Sequence, residues 1–465
     1  MQRVLGLAIA TFAFSSLSGG PAVATVSGSI SSAEFDQVGR RAAPIDIAAL
    51  LTAAKGAPPI ICSLAANSIR NWGWGDWNDA PATPLAFARA TTNIGDFDDR
   101  QPLPAADIQQ LLGGLAADDA CVRELSVRLI GTQRAETVSA DLLTRLGSAD
   151  ASLRSVAALA LGLVEAKNGV DPLIRTLRDA SVDVRANSAW ALGRIENGRA
   201  LQPLLGLFGD PAEKVRLAAV SAAGRMDSTS AIPLLIRVLR QDDSPNVRRV
   251  AAWALGHLEA RDGVAALIEA LGRDSDGRVR EMSAWALGAI EDKRGVPALG
   301  AAIRGDQEER VRETAVWALG AIEDRSSMDI LAAATGDRNP NVRGTAAWAI
   351  GQLEGEGTPA PAGLLRLLRD ENADVRLKAA WALGQLEDRN AIPAIRDALK
   401  VETSDRSRKA LIRALMKSGE SSQETLTQLL SSSDPQVREA AVRGIAGARS
   451  FDPWPWPWPR PRPFP

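Results

Sequence analysis

Adjacent carboxylates are the side chains of this sequence whose spacing best suits acid–base chemistry. They occur as the pairs Glu291-Asp292, Glu323-Asp324 and Glu387-Asp388. Two neighbouring carboxyl groups can differ in pKa and so divide the roles of acid and base. Each pair, however, follows the same sequence pattern, and a catalytic pair has no reason to recur along a chain. The recurrence therefore indicates loop charges of a repeated unit.

The other side chains that carry out catalysis are scarce. His257 is the only histidine among 465 residues, and tyrosine is absent. A zinc site or a Ser-His-Asp triad therefore lacks the groups it needs. The formal net charge is −2, with both signs interspersed, so no broad basic field is available to hold nucleic acid. We expect no enzyme activity, no cofactor, no metal site and no nucleic-acid partner.

Tryptophan is the unusual residue of this chain. Aromatic residues make up only 4% of the sequence, yet 12 residues are tryptophan. Six of them stand at one place in a recurring phrase, which reads VRRVAAWALGHL from Val247. These six are Trp190, Trp253, Trp285, Trp317, Trp348 and Trp381. A bulky side chain kept at one place in every copy requires either a shared structural role or a shared binding role.

The phrase belongs to a repeat with a fixed period. Its arginine recurs eleven times at intervals of 30 to 33 residues, as Arg123, Arg154, Arg185, Arg216, Arg248, Arg280, Arg312, Arg343, Arg376, Arg408 and Arg438. Before each phrase lies a segment with apolar residues at helical spacing, such as AIPLLIRVLR from Ala231, and then a short acidic loop. Helix, loop and helix at this period predict an all-α chain, an α-solenoid of about eleven helical hairpins over residues 106–450.

The repeat resembles the HEAT repeat, and specifically the phycobilisome-lyase-type HEAT-like repeat. The consensus of that type runs Asp, a few residues, Val-Arg, two residues, Ala-Ala, one variable residue and Ala-Leu-Gly. The resemblance covers roughly residues 106–449 and implies an armadillo-type superhelix. It also implies that Asp and Arg form a ladder joining the loops of successive repeats. Here that structural ladder would consist of Arg185, Arg216, Arg248, Arg280, Arg312, Arg343 and Arg376 with Asp210, Asp242, Asp274, Asp306, Asp337 and Asp370.

A helical wheel gives the direction of the tryptophans. At 100° per residue, Val247, Ala251 and Leu255 lie on one apolar stripe, and Trp253 lies nearly opposite, beside His257. In HEAT-type solenoids the second helix lines the concave side. The six tryptophans therefore predict a row of indoles along a groove, interrupted where the chain has Ser221. The alternative is that each indole lies flat over the Ala and Gly of the next repeat and covers a thin core.

The predicted partner of this groove is a protein or an extended, Pro-rich peptide. Packed helices are about 8–10 Å apart, and a polyproline II chain advances about 3.1 Å per residue with three residues per turn, so one turn fits one repeat. Armadillo-type peptide binders, which this arrangement partly resembles, carry an amide one helical turn after the tryptophan. Gln352 and Gln385 occupy that place after two of the tryptophans, and His257 occupies it after Trp253. We predict that these three residues line the groove.

The N-terminal region predicts export. Residues 1–24 have Arg3, an apolar run and a final Ala-Val-Ala, which is typical of a cleaved signal peptide; the alternative is a single membrane anchor. We expect a periplasmic or extracellular protein. Cys62 and Cys121 are the only cysteines, and in an exported protein they could form a disulfide or remain two buried thiols.

Both ends of the mature chain lack the repeat. Residues 25–105 contain Trp72, Trp74 and Trp77 in a loop-like composition, which could form an aromatic platform or an irregular cap on the first repeat. Residues 451–465 read FDPWPWPWPRPRPFP and favour polyproline II. That tail could associate with a membrane, bind a groove, including this protein's own, or remain disordered.

We therefore expect an exported scaffold that binds a protein or peptide on its concave face. Two other functions stay open. One is a bilin lyase or a related enzyme, which the resemblance implies but an export signal opposes. The other is a spacer of the cell envelope that uses its tail to associate with membranes.

Overall fold

The computed structural model describes residues 46–58, 62, 103–353, 358–420, 422–433 and 435–445. The signal-peptide prediction, the loop with Trp72, Trp74 and Trp77, and the tail 451–465 all fall outside these residues. The longer helices are α1 (Ile47–Ala54), α2 (Ala105–Gly114), α3 (Ala120–Ile130), α4 (Ala135–Leu146), α5 (Ala151–Leu163), α6 (Val170–Thr176), α7 (Val182–Ile195), α8 (Leu201–Leu205), α9 (Glu213–Arg225), α10 (Ile232–Gln241), α11 (Pro245–His257), α12 (Val264–Arg273), α13 (Gly277–Ile290), α14 (Val296–Gly305), α15 (Glu309–Ile322), α16 (Met328–Ala334), α17 (Pro340–Gln352), α18 (Ala362–Leu367), α19 (Ala373–Leu386), α20 (Ile392–Val401), α21 (Asp405–Lys417), α22 (Gln423–Leu430) and α23 (Pro435–Ile445).

From α2 to α23 the helices pair into eleven hairpins, and no strand occurs in the described residues. The prediction of an all-α solenoid of about eleven repeats is confirmed. In each hairpin the even-numbered helix is the first helix and the odd-numbered helix is the second. No helix among the described residues is both long and apolar enough to cross a membrane.

Local sequence signals begin the helices of each hairpin. Pro233 lies in the first turn of α10, where its missing N–H is not needed. The Ser244 hydroxyl caps α11 by accepting the backbone N–H groups of Asn246 and Val247. These signals fix a short loop between the two helices, so the hairpin closes within one repeat.

The paired carboxylates form the turn that ends each second helix. The first member of each pair is left-handed, with φ near +53° in Glu291, Glu323 and Glu387 alike. The second member accepts a backbone N–H two residues on, as the Asp292 carboxylate does from Arg294 at 3.0 Å. The interpretation of these pairs as loop charges is confirmed.

The second helices pack against one another through small residues. A Cβ added at Gly256 of α11 would lie 2.9 Å from both Cα and Cβ of Ala286 in α13. Successive second helices make far more extensive contact than successive first helices do. Because the layer of second helices is the more tightly packed one, the solenoid curves with its second helices on the concave side.

An arginine–carboxylate ladder joins the loops, as the resemblance implied. Nε and Nη2 of Arg248 donate to the Asp274 carboxylate of the next loop at 2.7 and 2.8 Å. Its Nη1 donates to the backbone carbonyl of Asp242 in its own loop at 2.8 Å. The same double pairing joins Arg185 to Asp210, Arg216 to Asp242, Arg280 to Asp306, Arg312 to Asp337 and Arg343 to Asp370.

Two further rungs extend the ladder beyond the predicted residues. Arg154 pairs with Asp179 at 2.8 Å through both Nε and Nη2. At the other end, Arg376 pairs with Glu402, a residue that the aspartate pattern did not identify. The Arg154 guanidinium lowers the pKa of Asp179 by hydrogen bonding to its carboxylate, so this rung is charged at neutral pH.

The segment before the repeats is fastened to the first hairpin. Cys62 and Cys121 form a disulfide with Cα atoms 5.5 Å apart. The Asp119 carboxylate caps α3 and also accepts the backbone N–H of Gly56 at 2.8 Å. That bond from Gly56 lowers the pKa of Asp119. α1 therefore closes the apolar end of the first repeat.

Candidate protein-binding face

Each second helix turns one stripe of side chains toward the concave side. In α11 the stripe contains Asn246, Arg249, Trp253 and His257, on the side opposite the first helix of the same hairpin. The corresponding residues are Arg278, Glu281, Trp285 and Ala289 in α13, and Arg310, Glu313, Trp317 and Ala321 in α15. We call the combined surface of these stripes the concave face.

The tryptophans lie across the seams between repeats. Trp190, Trp253 and Trp348 are only 5%, 5% and 3% exposed, and Trp285, Trp317 and Trp381 are half-buried. In each pair of repeats the indole covers the glycine of the preceding second helix. A Cβ at Gly256 would lie 2.8 Å from Cζ3 of Trp285, and one at Gly320 would lie 2.8 Å from Cζ3 of Trp348.

The prediction of a continuous row of indoles open to a groove is therefore wrong, because Trp190, Trp253 and Trp348 are buried and only Trp285, Trp317 and Trp381 remain partly exposed. The wheel placed each tryptophan correctly away from the core of its own hairpin, but a single helix does not show its neighbours in the stack. Glycine and alanine leave little apolar bulk in these helices, and the indole of the next repeat supplies it. The alternative, in which the indoles cover a thin core, describes their packing, although each ring covers the preceding repeat and not the next one.

The polar residues predicted beside the tryptophans do lie on this face. His257 is exposed, and its ring stacks on Trp253 with centroids 5.2 Å apart and planes 15° apart. Gln352 and Gln385 are half-buried, and Lys417 of the last but one hairpin approaches Gln385 Oε1 at 3.5 Å. These three residues lie on the concave face, but each belongs to a different repeat, in α11, α17 and α19, so they do not form one cluster.

Apart from Arg249, which the helical wheel places beside Trp253, the charged residues of the concave face are what the sequence reasoning missed. They occupy the positions two or three, and ten, residues after the repeated valine, and they include Arg194, Arg225, Arg249, Glu281, Glu313, Lys378, Lys409 and Lys417. The helical wheel that located the tryptophans would also have located them. Acidic residues of this set occur in the central helices α13 and α15, where Arg278 and Arg310 of the same stripes accompany them, and the other members of the set are basic.

Burial shifts the pKa of two of these charged groups. It raises the pKa of Glu281; the nearby charge of Arg310 lowers that pKa, and the charge of Glu313 raises it further. Burial lowers the pKa of Lys378. Both side chains are half-buried, so their charges are less screened by water than those of ordinary surface residues.

The concave face presents few apolar groups for a partner. Among the described residues the large hydrophobic side chains that are exposed are Val401, Leu430 and Val442, and none of them lies near the central repeats. Within the same residues no cluster of three or more histidine, cysteine or carboxylate side chains could hold a metal ion. The chemistry that this face can perform is recognition by charge and hydrogen bonds.

Comparison with known proteins identifies the same architecture. A family model for HEAT repeats matches residues 170–243, 232–312, 296–369 and 360–446. No curated protein sequence matches the chain. Among solved structures, similar chains occur in one on the binding of Kap95p to RanGDP and in one of a Kap95:Nup1 complex, with 16% and 17% identity and TM-scores of 0.52 and 0.50.

In both comparisons the match covers 73% of this chain and 57% of the other chain. This chain thus spans little more than half the length of those two. An engineered protein is 20% identical over 75% of this chain and 100% of its own, with a TM-score of 0.41. At such identities the first two likenesses concern the fold alone.

Proposed function

Because the chain belongs to the HEAT-repeat family, we propose that it is a non-catalytic scaffold that binds a protein or an extended peptide along its concave face. One observation carries the proposal: half-buried charges of both signs line that face, while the ladder carboxylates and arginines are already paired with each other. The two Kap95 structures are described as complexes with other proteins, which supports a protein partner. We also propose that the repeats are of the phycobilisome-lyase type, which is supported by the Asp, Val-Arg and Ala-Leu-Gly positions.

The proposed mode of binding is polar. The indoles hold the second helices at a fixed spacing, and the partner contacts the charged side chains together with His257, Gln352 and Gln385. The half-buried edges of Trp285 and Trp317 contribute a flat floor between them. An interface of this kind relies on charge complementarity for its specificity and its rate of association.

We further propose that the protein acts outside the cytoplasm. The apolar N-terminal run ending in Ala24 supports export, and the disulfide between Cys62 and Cys121 supports an oxidising compartment. A contribution of the tail 451–465 to membrane association belongs to the same proposal. Export predicts that the mature protein begins at Thr25, which N-terminal sequencing of the secreted or periplasmic fraction tests.

The experiment for the scaffold compares two triple variants of the immobilised protein. The concave variant carries Glu281→Gln, Glu313→Gln and Lys378→Gln. The matched control carries Glu269→Gln, Asp329→Asn and Lys400→Gln on the first helices, where all three side chains are exposed. Both remove two negative charges and one positive charge.

Proteins of the exported fraction are then captured on each form, after helicity and melting temperature have been matched. We expect a partner that the wild type and the control hold and the concave variant loses. If all three forms hold the same proteins, binding does not use the concave face and the proposal fails. A partner lost only from the control would place the binding surface on the outer helices.

A further inference from the structure

Two half-buried charges of opposite sign stand on the concave face without a direct partner. Glu281 of α13 and Lys378 of α19 make no hydrogen bond or ion pair with any residue in the described part of the chain. Burying a charge is costly unless an opposite charge or hydrogen bonds compensate it. A ligand that supplies the missing opposite charge would therefore gain more at these two positions than at an ordinary surface residue.

The position of Lys378 depends on a gap in the preceding repeat. Where α13 has Glu281 and α15 has Glu313, α17 has Gly344. A Cβ on Gly344 would lie 3.1 Å from Cδ and 3.3 Å from Nζ of Lys378. The lysine thus lies across this glycine, where burial lowers its pKa and the carboxylates of Asp374 and, less strongly, Glu313 act to raise it. A side chain at position 344 would require the end of the lysine to shift by a few tenths of an ångström.

The charges around Glu281 are of both signs, and none of them forms a direct hydrogen bond or ion pair with its carboxylate in the described residues. Arg310 and Arg249 on the two neighbouring helices attract its carboxylate, whereas Glu313 and Glu308 repel it. Glu281 and Glu313 occupy equivalent places in successive repeats, with Arg278 and Arg310 on the same two stripes. On the far side of Gly344 the sign reverses at Lys378.

Resting on the proposed function, we propose that Glu281 and Lys378 are the two anchor points that select an extended segment of another polypeptide with one basic and one acidic side chain. The helices α13 and α19 are three repeats apart, which corresponds to about 24–30 Å at 8–10 Å per helix. An extended or polyproline II chain advances about 3.1–3.4 Å per residue. The basic and acidic residues of the partner are therefore about seven to ten residues apart, with the basic residue toward the N-terminal repeats.

The experiment selects random 14-residue peptides displayed on phage against the immobilised full chain. The same selection is run on Glu281→Gln, on Lys378→Gln, on the outer-face control Glu269→Gln, and on a chain that lacks residues 451–465. Peptides from the wild-type selection are expected to carry Lys or Arg and Asp or Glu about seven to ten residues apart. A selected peptide should bind each single concave variant about fivefold more weakly and the control equally well.

A double-mutant cycle then tests direct contact. Neutralising the basic residue of the peptide should weaken binding about fivefold on the wild type and have no effect on Glu281→Gln, and the acidic residue should behave in the same way toward Lys378→Gln. If peptides are enriched but show no such coupling, the anchor assignment is overturned while the scaffold proposal stands. If no peptide is enriched on any form, both fail. Enrichment only on the shortened chain would indicate that the protein's own tail occupies the concave face, and it would overturn the proposal that a separate polypeptide binds there.

Gly344→Ala separates recognition from stability. Alanine is favoured over glycine in a helix, so this variant is expected to fold with unchanged or increased stability. It leaves the charges of Glu281 and Lys378 in place but pushes the ammonium group aside. We expect it to weaken binding of the selected peptide measurably, but less than Lys378→Gln does. Unchanged binding by Gly344→Ala would overturn the claim that the space over Gly344 positions Lys378 for binding.

Discussion

Replacing one seam glycine by alanine is the sharpest test of how the repeats are held together. Gly288 of α13 lies where α15 approaches, and a Cβ there would be 2.8 Å from Cα and Cβ of Ala318 and 2.8 Å from Cζ3 of Trp317. Gly384 of α19 occupies the same place in its repeat. A Cβ there would be 3.5 Å from Cα and 3.7 Å from Cβ of Ala414, which is ordinary contact.

The two sites differ in the expected sign of the change in stability. Ordinary carbon contacts are about 3.5–4.0 Å, so Gly288→Ala must widen a seam made of backbone and a fixed indole by about 1 Å. Overpacking of this kind costs about 1–3 kcal/mol, against a gain of about 1 kcal/mol in helix propensity. We expect Gly288→Ala to lower the free energy of unfolding by about 1 kcal/mol. Gly384→Ala keeps the propensity term and should raise it by about 1 kcal/mol.

Urea denaturation followed by circular dichroism measures the two variants against the wild type, and amide hydrogen exchange locates the change. Because repeats interact mainly with their neighbours, faster exchange should be confined to α13, α15 and the hairpins next to them. If Gly288→Ala stabilises the chain as much as Gly384→Ala does, the close seam is not a constraint and the structural role assigned to the tryptophans is refuted.

Three further predictions concern the ladder, the disulfide and the turns. Burial alone would raise the pKa of Asp306, but hydrogen bonds led by that from Arg280 outweigh it and lower the pKa. A lowered carboxylate pKa stabilises above the unfolded value of about 3.9 and is lost as the pH falls through the folded value, so the melting temperature should fall below about pH 4, and less steeply in Arg280→Gln. Reducing the disulfide between Cys62 and Cys121 removes a constraint worth about 4 kcal/mol for the 59 residues that separate them, and should speed amide exchange in α1 while the central repeats keep their protection. Glu323 has a left-handed backbone conformation, with φ of +53°, which glycine adopts without strain. Glu323→Gly should therefore raise the free energy of unfolding by about 1 kcal/mol in urea denaturation. An unchanged urea midpoint would contradict the presence of backbone strain at this residue.

The architecture could be predicted from the sequence because the fixed period of the repeat is itself the signature of a solenoid. The spacing of the repeated arginine fixed the number of hairpins, and the resemblance identified a ladder whose rungs the structure shows between Arg248 and Asp274 and their equivalents. Glu402 escaped notice because the search followed aspartate, although a longer carboxylate at the next repeat satisfies Arg376 equally well.

The candidate site was harder to predict because it depends on contacts between repeats. Trp253 lies away from its own first helix, and only the neighbouring repeat shows that the ring fills space over Gly224. The half-buried side chain of Lys378 lies over Gly344, which stands one repeat earlier. Neither relation is visible in one helix, yet both appear once residues one repeat apart are compared as pairs.

The ladder also determines how the solenoid bends. Its rungs join successive loops at one edge of the array through guanidinium groups held at 2.7–3.0 Å by the carboxylates, as in Arg280 and Asp306. At the opposite edge Arg194 reaches back to Glu165 at 2.7 Å, but in the central repeats the same position is Ala289 or Ala321, which cannot form an ion pair. That edge of the central repeats is bridged instead by Arg294 Nη2, which donates to the backbone carbonyl of Arg261 at 2.9 Å, and by Lys293, which lies 3.7 Å from Asp324. Both bridges come from exposed side chains, whereas each rung of the ladder is a double, half-buried pair. We therefore expect the central repeats to be stiffer along the ladder than along the opposite edge.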